Sequence, residues 1–151
     1  MSFGKNTHKG RYRVKNVEKY VGDENKVTYR SSWERAAFLW ADKSSRVKYW
    51  NSEEMVVPYR YTVDGRLHRY FIDLYLEMAD GSKWLIEIKP SKECRPPTKR
   101  GKKKDRYLQE SLTWVKNCNK WEAAKVFATK NGMTFAVWDE HFLKKSGIMK
   151  F

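Results

Sequence analysis

Residues Arg69–Pro90 read RYFIDLYLEMADGSKWLIEIKP, and the pairing of this stretch decides the fold. Two apolar, aromatic-rich runs flank Ala79-Asp80-Gly81, the pattern of a β-hairpin. Its charges are out of place. Asp73 sits within Phe71-Ile72-Asp73-Leu74-Tyr75, and Glu87 and Lys89 alternate with Leu85, Ile86 and Ile88. Strand side chains alternate faces, so Glu87 and Lys89 project together.

The turn decides whether Asp73 joins them. A two-residue Asp80-Gly81 turn pairs Ala79 with Ser82 and places Asp73 opposite Ile88. A three-residue loop with Gly81 left-handed in a G1 bulge pairs Met78 with Ser82 and sets Asp73 directly across from Glu87. Facing carboxylates repel unless a positive charge lies between them. A divalent cation would account for the arrangement, and on that ground the three-residue loop is expected.

The chain has 151 residues, with 32 Lys and Arg against 18 Asp and Glu, a net charge of +14. Seven Trp, nine Tyr and seven Phe argue against disorder along most of it. So large a basic excess calls for an anionic partner, nucleic acid being the usual one. Cys94 and Cys118 form no CxxC pair, and with three scattered histidines no zinc site is readable. Reduced thiols with no disulfide partner are expected, and no membrane-spanning run or signal-peptide core is present in the sequence.

Residues 1–28 read as a basic, flexible N-terminal arm, with Lys5, Lys9, Arg11, Arg13, Lys15 and Lys19 against Glu18 over the first 19 residues. One domain is expected over 29–151. Ser31 followed by Glu34 fits a helical capping box, with Ser32 an alternative cap. Trp33, Ala36, Ala37, Trp40 and Ala41 follow as a buried helical stripe. Lys43–Asn51 reads as a connector anchored by Trp50. Strands are expected over Met55–Thr62, Arg66–Met78 and Ser82–Lys89, forming an antiparallel meander, with Pro58 marking an edge. From Lys89 to Arg106 nine Lys or Arg stand against Glu93 and Asp105, half of the net charge in 18 residues, and Pro96-Pro97 and Gly101 keep the segment open. This basic loop reads as a lid or clamp on a polyanion. A helix follows, with a break or restart at Asn119-Lys120-Trp121-Glu122 and a stop at Asn131-Gly132. A buried strand, Thr134–Trp138, precedes a short helix capped by Asp139.

Glu34, Asp73, Glu87 and Lys89 are the residues with chemistry to offer. Phosphodiester hydrolysis needs an activated water and neutralisation of the charge that develops on phosphate, and Mg²⁺ supplies both. Two or three carboxylates suffice to hold it, and an adjacent lysine can orient the water or neutralise charge. Against this stands the ordinary role of each residue: Glu34 as a first-turn acid favourable with the helix dipole, the strand acids as solvent-facing positions.

The order helix-Glu, strand-Asp, hairpin, Glu-x-Lys, basic loop, helix, strand resembles the PD-(D/E)XK nuclease superfamily. Within it, S-x-W-E-R at 31–35, H-R-Y-F-x-D at 68–73 and L-I-E-I-K-P at 85–90 resemble the TnsA-type endonuclease branch and the head-completion nucleases of tailed phages. The likeness runs from about Tyr29 to Ile148. The Pro of the superfamily's name is absent, with Ile72 in its place, and Glu87 stands where the transposon branch often has Gln. The resemblance implies a mixed α/β, restriction-endonuclease-like αβββαβ core with a central mixed sheet flanked by helices. It implies a Mg²⁺-dependent endodeoxyribonuclease, with Mn²⁺ able to substitute. Asp73, Glu87, the Ile88 carbonyl and in some versions Glu34 would hold the metal, and Lys89 would position the water. Double-stranded DNA would be gripped by Arg11, Arg13, Lys92, Arg95, Lys99, Arg100, Lys102, Lys103, Lys104 and Arg106. It also implies action in the host cytoplasm during phage assembly, or in the head and neck region of the virion, trimming packaged DNA beside head, portal or neck proteins before head–tail joining. The rivals are a non-enzymatic DNA-binding virion protein and a junction-resolving or transposase-subunit endonuclease.

Overall fold

In the computed structural model, which describes residues 9–149, the Gly81 turn sets the register of the central sheet. Gly81 has φ +91°, its N–H donates to the Met78 carbonyl at 2.9 Å, and the Met78 N–H donates to the Ser82 carbonyl at 2.8 Å. The loop therefore has three residues, and the Asp80 carboxylate stiffens it by accepting from the Ser82 N–H and hydroxyl. Leu74 then faces Ile86 and Glu77 faces Lys83. One step beyond that ladder Asp73 faces Glu87, as the sequence led us to expect.

In chain order the elements are β1 (Gly10–Arg11), β2 (Thr28–Tyr29), α1 (Ser32–Lys43), β3 (Val47–Asn51), β4 (Val56–Tyr61), β5 (Arg66–Phe71), β6 (Leu74–Met78), β7 (Lys83–Ile88), α2 (Lys104–Lys130), β8 (Thr134–Trp138) and α3 (Glu140–Lys145). The central sheet runs β3-β6-β7-β8, antiparallel except for the β7–β8 pair. Parallel neighbours need a long crossover, which α2 provides. Without β4 and β5, the order is the expected αβββαβ in a mixed sheet.

Several elements depart from expectation. The connector at 43–51 contains β3, the first strand of the meander, because a register shift between Val47 and Tyr49 breaks the alternation that would have marked it. The expected strand Arg66–Met78 is two strands. β5 pairs with β4 in a separate ribbon, whereas β6 joins the central sheet. At the switch Ile72 exchanges backbone bonds with Glu53 and Met55, and Asp73 lies in the gap. α2 is continuous through Asn119, whose side chain accepts from the Thr62 N–H and hydroxyl at 3.0 and 3.1 Å instead of capping a new helix. β8 is an edge strand in which only Trp138 is buried. On α1 the buried apolar face is Trp33, Ala37, Phe38 and Ala41, with Ala36 and Trp40 half-buried beside it.

The sheet is covered on both faces. Leu74, Leu76, Ile86 and Ile88 pack with α1, Trp50 and Leu143, while Tyr75 and Leu85 pack with the ribbon and the Ala124–Ala128 face of α2. The flexible arm over 1–28 is corrected for residues 9–28; Lys5 and the rest of 1–8 lie outside the described residues. Gly10-Arg11 pairs with Thr28-Tyr29, and Tyr12, Val14, Tyr20 and Val27 enter the core. Asp42, fully buried in the last turn of α1, fastens this segment: it accepts from the Tyr12 hydroxyl at 2.8 Å and the N–H groups of Lys15 and Asn16 at 2.7 and 3.0 Å. Lys19 donates to the carbonyls of Ala41, Asp42 and Ser44, closing the helix C-terminus. Apolar residues interleaved with the basic ones, not the charges, decide where the segment goes.

Asp42→Ala leaves one buried donor and two part-buried donors without their acceptor and should lower the unfolding free energy by about 2–4 kcal/mol. A urea titration followed by tryptophan fluorescence measures it; a loss below about 1 kcal/mol would mean that Asp42 does not hold the N-terminal segment.

Candidate active site

The site is built at the end of the sheet where the chain passes from ribbon to sheet. Ser31 is the N-cap of α1, its hydroxyl accepting the Glu34 N–H at 3.1 Å. The Glu34 carboxylate turns back to accept from the Arg30 N–H at 3.2 Å and from the Ser31 hydroxyl at 3.5 Å. Ser31 and not Ser32 is therefore the cap, and Glu34 reaches back to the N–H of the residue before it instead of to that of Ser31, which leaves its carboxylate buried at the positive end of the helix.

Asp73 is half-buried, and its Oδ2 accepts from the Ile88 N–H at 2.9 Å. Glu87 is 6% exposed, with the Tyr70 hydroxyl donating to its Oε1 and the Lys89 Nζ 3.4 Å from its Oε2. Each carboxylate is thus fixed by one or two directed contacts. Lone pairs remain on its oxygens, since an ionised carboxylate can accept about four hydrogen bonds.

Charge at the site is under tension. Burial, then the neighbouring carboxylates of Glu87 and Glu34, push the Asp73 carboxyl well above the ordinary aspartate range, against the opposing pull of the Ile88 N–H and Lys89. Burial works against the Lys89 ammonium, but Glu87, Asp73 and Glu93 outweigh it and hold its pKa above that of an ordinary lysine. Burial and the charge of Glu87 likewise keep the Tyr70 phenol protonated. Lys89 is therefore a fixed cation and not a base at neutral pH, and Tyr70 is a fixed donor.

A divalent cation fits the donor set, which offers hard carboxylate oxygens with an uncompensated repulsion between them. Among the described residues, however, no three His, Cys, Asp or Glu side chains converge to hold one metal ion. Glu34 does not complete a cage with Asp73 and Glu87, because the α1 cap holds it. The two facing acids and the Ile88 carbonyl are the protein groups left to bind an ion, few enough for a metal that keeps several waters.

The basic residues divide into two groups. Lys102, from the loop, pairs with Glu110 and ties the loop to α2, whereas Arg106 is an exposed residue of α2 itself and pairs with Glu110 one turn further along the helix at 3.1 Å. Arg11, Arg13, Arg95, Lys99, Arg100, Lys103 and Lys104 are exposed, as is Lys92. Between loop and helix lies an open cavity of about 570 Å³ lined by Lys92, Arg95, Lys102, Arg106, Trp114 and Asn117 among others. Cys94 and Cys118 are free thiols, half-buried and unbridged.

Three nearby residues escaped sequence reasoning: Tyr70, Arg30 and Lys120. Tyr70 could have been suspected, since a buried tyrosine needs a partner for its hydroxyl. Arg30 pairs with Glu53, and its own pKa rises through that hydrogen bond and, more weakly, through the charges of Glu34 and Asp73. Lys120 reads in sequence as one more charge on a long helix.

Residues 44–140 match the family described as "TnsA-like endonuclease N terminal". The matched span contains Asp73, Glu87 and Lys89 and begins just after the helix that carries Glu34. A curated protein named "Head completion nuclease", from Enterobacteria phage T4, is 40% identical over 144 residues, covering 93% of this chain and 96% of that protein. Among the described residues no helix is long and apolar enough to cross a membrane.

The raised Asp73 carboxyl sets the sign of a stability effect in metal-free protein. The folded state holds its proton to higher pH than the unfolded chain, whose aspartates titrate near 3.9. The contribution to stability is therefore complete below about pH 3.9 and is lost as pH rises through the folded value. Asn cannot ionise. In the presence of a chelator, Asp73→Asn should have a higher urea midpoint than wild type at pH 7–8, and the difference should shrink as the pH falls toward about 4. A difference independent of pH would mean that Asp73 carries no electrostatic strain.

Proposed function

The chain belongs to the TnsA-like endonuclease family, with its restriction-endonuclease-like mixed α/β fold, and we propose that it is a Mg²⁺-dependent endonuclease acting on double-stranded DNA. The observation that carries this reading is the facing pair Asp73 and Glu87 with the Lys89 ammonium on one of its oxygens. Bound Mg²⁺ would acidify a water and neutralise phosphate oxygens. Asp73, Glu87 and the Ile88 carbonyl would hold it.

The remaining roles follow from the chain's own groups. Lys89, permanently charged, orients the attacking water and neutralises charge as water adds to phosphorus and the P–O ester bond breaks. Tyr70 locks the Glu87 carboxylate so that its free lone pairs point one way. Glu34, at the α1 N-terminus, positions solvent beside the pair. The exposed cations of the 89–106 loop and Arg11 and Arg13 grip the backbone, which makes binding tolerant of sequence and sensitive to salt. The extent of the T4 likeness supports a role in head completion, cleaving packaged DNA beside head, portal or neck proteins.

Supercoiled plasmid with Mg²⁺ tests the assignment. Wild type should nick it, and Asp73→Ala and Lys89→Ala should each slow nicking by about 100-fold or more. Unchanged nicking in both variants would refute the site. Tyr70→Phe, which keeps the ring and removes the donor, should slow nicking by about tenfold with little change in DNA affinity. A large loss of affinity instead would place Tyr70 on the DNA and not on Glu87.

A further inference from the structure

The face of α2 that looks toward the ribbon carries two lysines one turn apart, Lys116 and Lys120, both half-buried. The Lys120 Nζ lies 5.3 Å from the centre of the Tyr70 ring, and Tyr70 is the residue that donates to Glu87. The Lys116 Nζ lies 4.9 Å from the centre of the Tyr61 ring, on β4 of the same ribbon. Three other half-buried lysines are met by oxygen. Lys19 donates to three carbonyls, Lys89 sits on Glu87 and Lys102 on Glu110. Among the described residues Lys116 and Lys120 have neither an ion-pair partner nor a hydrogen-bond acceptor, only the faces of the two tyrosines.

A desolvated ammonium is poorly compensated by a ring alone. Lys120 shows the strain: burial pulls its pKa below that of an ordinary lysine, and Lys89 and Lys116 add to this while Glu87 and Asp73 oppose it. Two cations side by side, short of anions and leading away from the carboxylates, match the charge pattern of a nucleic-acid strand. Burial of the lysine stems against the tyrosines would by itself account for their packing. It gives no reason for two ammonium groups to be set one turn apart, with Lys120 inside the field of Lys89.

We propose that Lys120 and Lys116 form a phosphate track for the cleaved strand, Lys120 holding the phosphate at the Asp73–Glu87 pair and Lys116 a neighbouring phosphate of that strand. Lys120 would be a catalytic residue through its contact with substrate, and Lys116 a binding residue. The cation–π seats keep both side chains aimed along the ribbon before DNA arrives, which reduces the ordering cost of binding. This track deepens the nuclease reading and rests on it for the identity of the strand.

Binding is measured first on the full chain, by fluorescence anisotropy with a short duplex in a chelator, across a range of salt. Each phosphate contact contributes about 0.9 to the slope of log K against log salt. Lys116→Gln and Lys120→Gln should each flatten the slope by about that amount, and Lys125→Gln, on an exposed part of α2 away from the ribbon, should not. With Mg²⁺, Lys120→Gln should slow single-turnover cleavage at saturating DNA by about 10- to 100-fold, with Lys120→Arg recovering most of it. Lys116→Gln should raise the DNA concentration needed and leave the saturated rate intact. Unchanged slopes in both Gln variants would overturn the track, and the lysines would then only cover the tyrosines. Loss of cleavage in Asp73→Ala together with unchanged slopes in the lysine variants would leave the nuclease standing and the track refuted. A wild type that leaves plasmid intact would refute the nuclease, and the salt slopes would still decide whether the lysines meet phosphate. Thermal melts guard against unfolded variants, and Lys120→Arg keeps the test valid if the Gln variant melts early.

Discussion

The repulsion between Asp73 and Glu87 is the constraint that the rest of this molecule is arranged around. Two acids across one hairpin, one of them deeply buried, would not stay together without compensation. Each has been given a donor from a different part of the chain: the Ile88 N–H for Asp73, Tyr70 and Lys89 for Glu87. These contacts fix direction but do not cancel the charge, and the Asp73 carboxyl stays far above its ordinary range. A fold that keeps such tension is poised to receive a cation and an activated water. It sets binding against the stability of the empty protein.

Much of the remaining architecture steadies that pair. The sheet is buried on both faces, so a slip in the β6–β7 register would expose one apolar set and bury charge on the other. The Gly81 turn prevents the slip. On one side α1 brings Glu34 to the edge of the site, and α1 is itself tied at its far end by Asp42 and Lys19 to the N-terminal segment. On the other side the ribbon delivers Tyr70, and α2 closes over it through Asn119 and Thr62.

The positive charge of the chain is less uniform than its total suggests. Lys102 is engaged by Glu110 and holds the basic loop against α2, whereas the cations at the tip of the loop remain in solvent. Lys19 caps a helix. Two ammonium groups on α2, Lys116 and Lys120, face tyrosine rings of the ribbon. Counting lysines in sequence cannot separate these four uses, because each depends on which groups lie within about 3–4 Å of the nitrogen.

What the amino-acid sequence determined by itself was local: the three-residue turn at Gly81, the Ser31–Glu34 capping box, the facing of Asp73 and Glu87, and the basic run after Lys89. The capping box and the basic run follow from patterns that act over a few residues, whereas the turn and the facing pair were chosen between two registers on the charge they bring together. The sequence also carried the order of the core elements, although β3 was hidden by its register shift and Arg66–Met78 read as one strand, since nothing local shows that β5 and β6 pair with different partners. Tertiary structure alone placed Tyr70 on Glu87 and Lys120 over Tyr70, drew residues 9–28 into the core, and kept Glu34 from closing a three-carboxylate cage. Those outcomes depend on burial and on partners distant in the chain, and long-range packing selects among side chains that look alike in sequence.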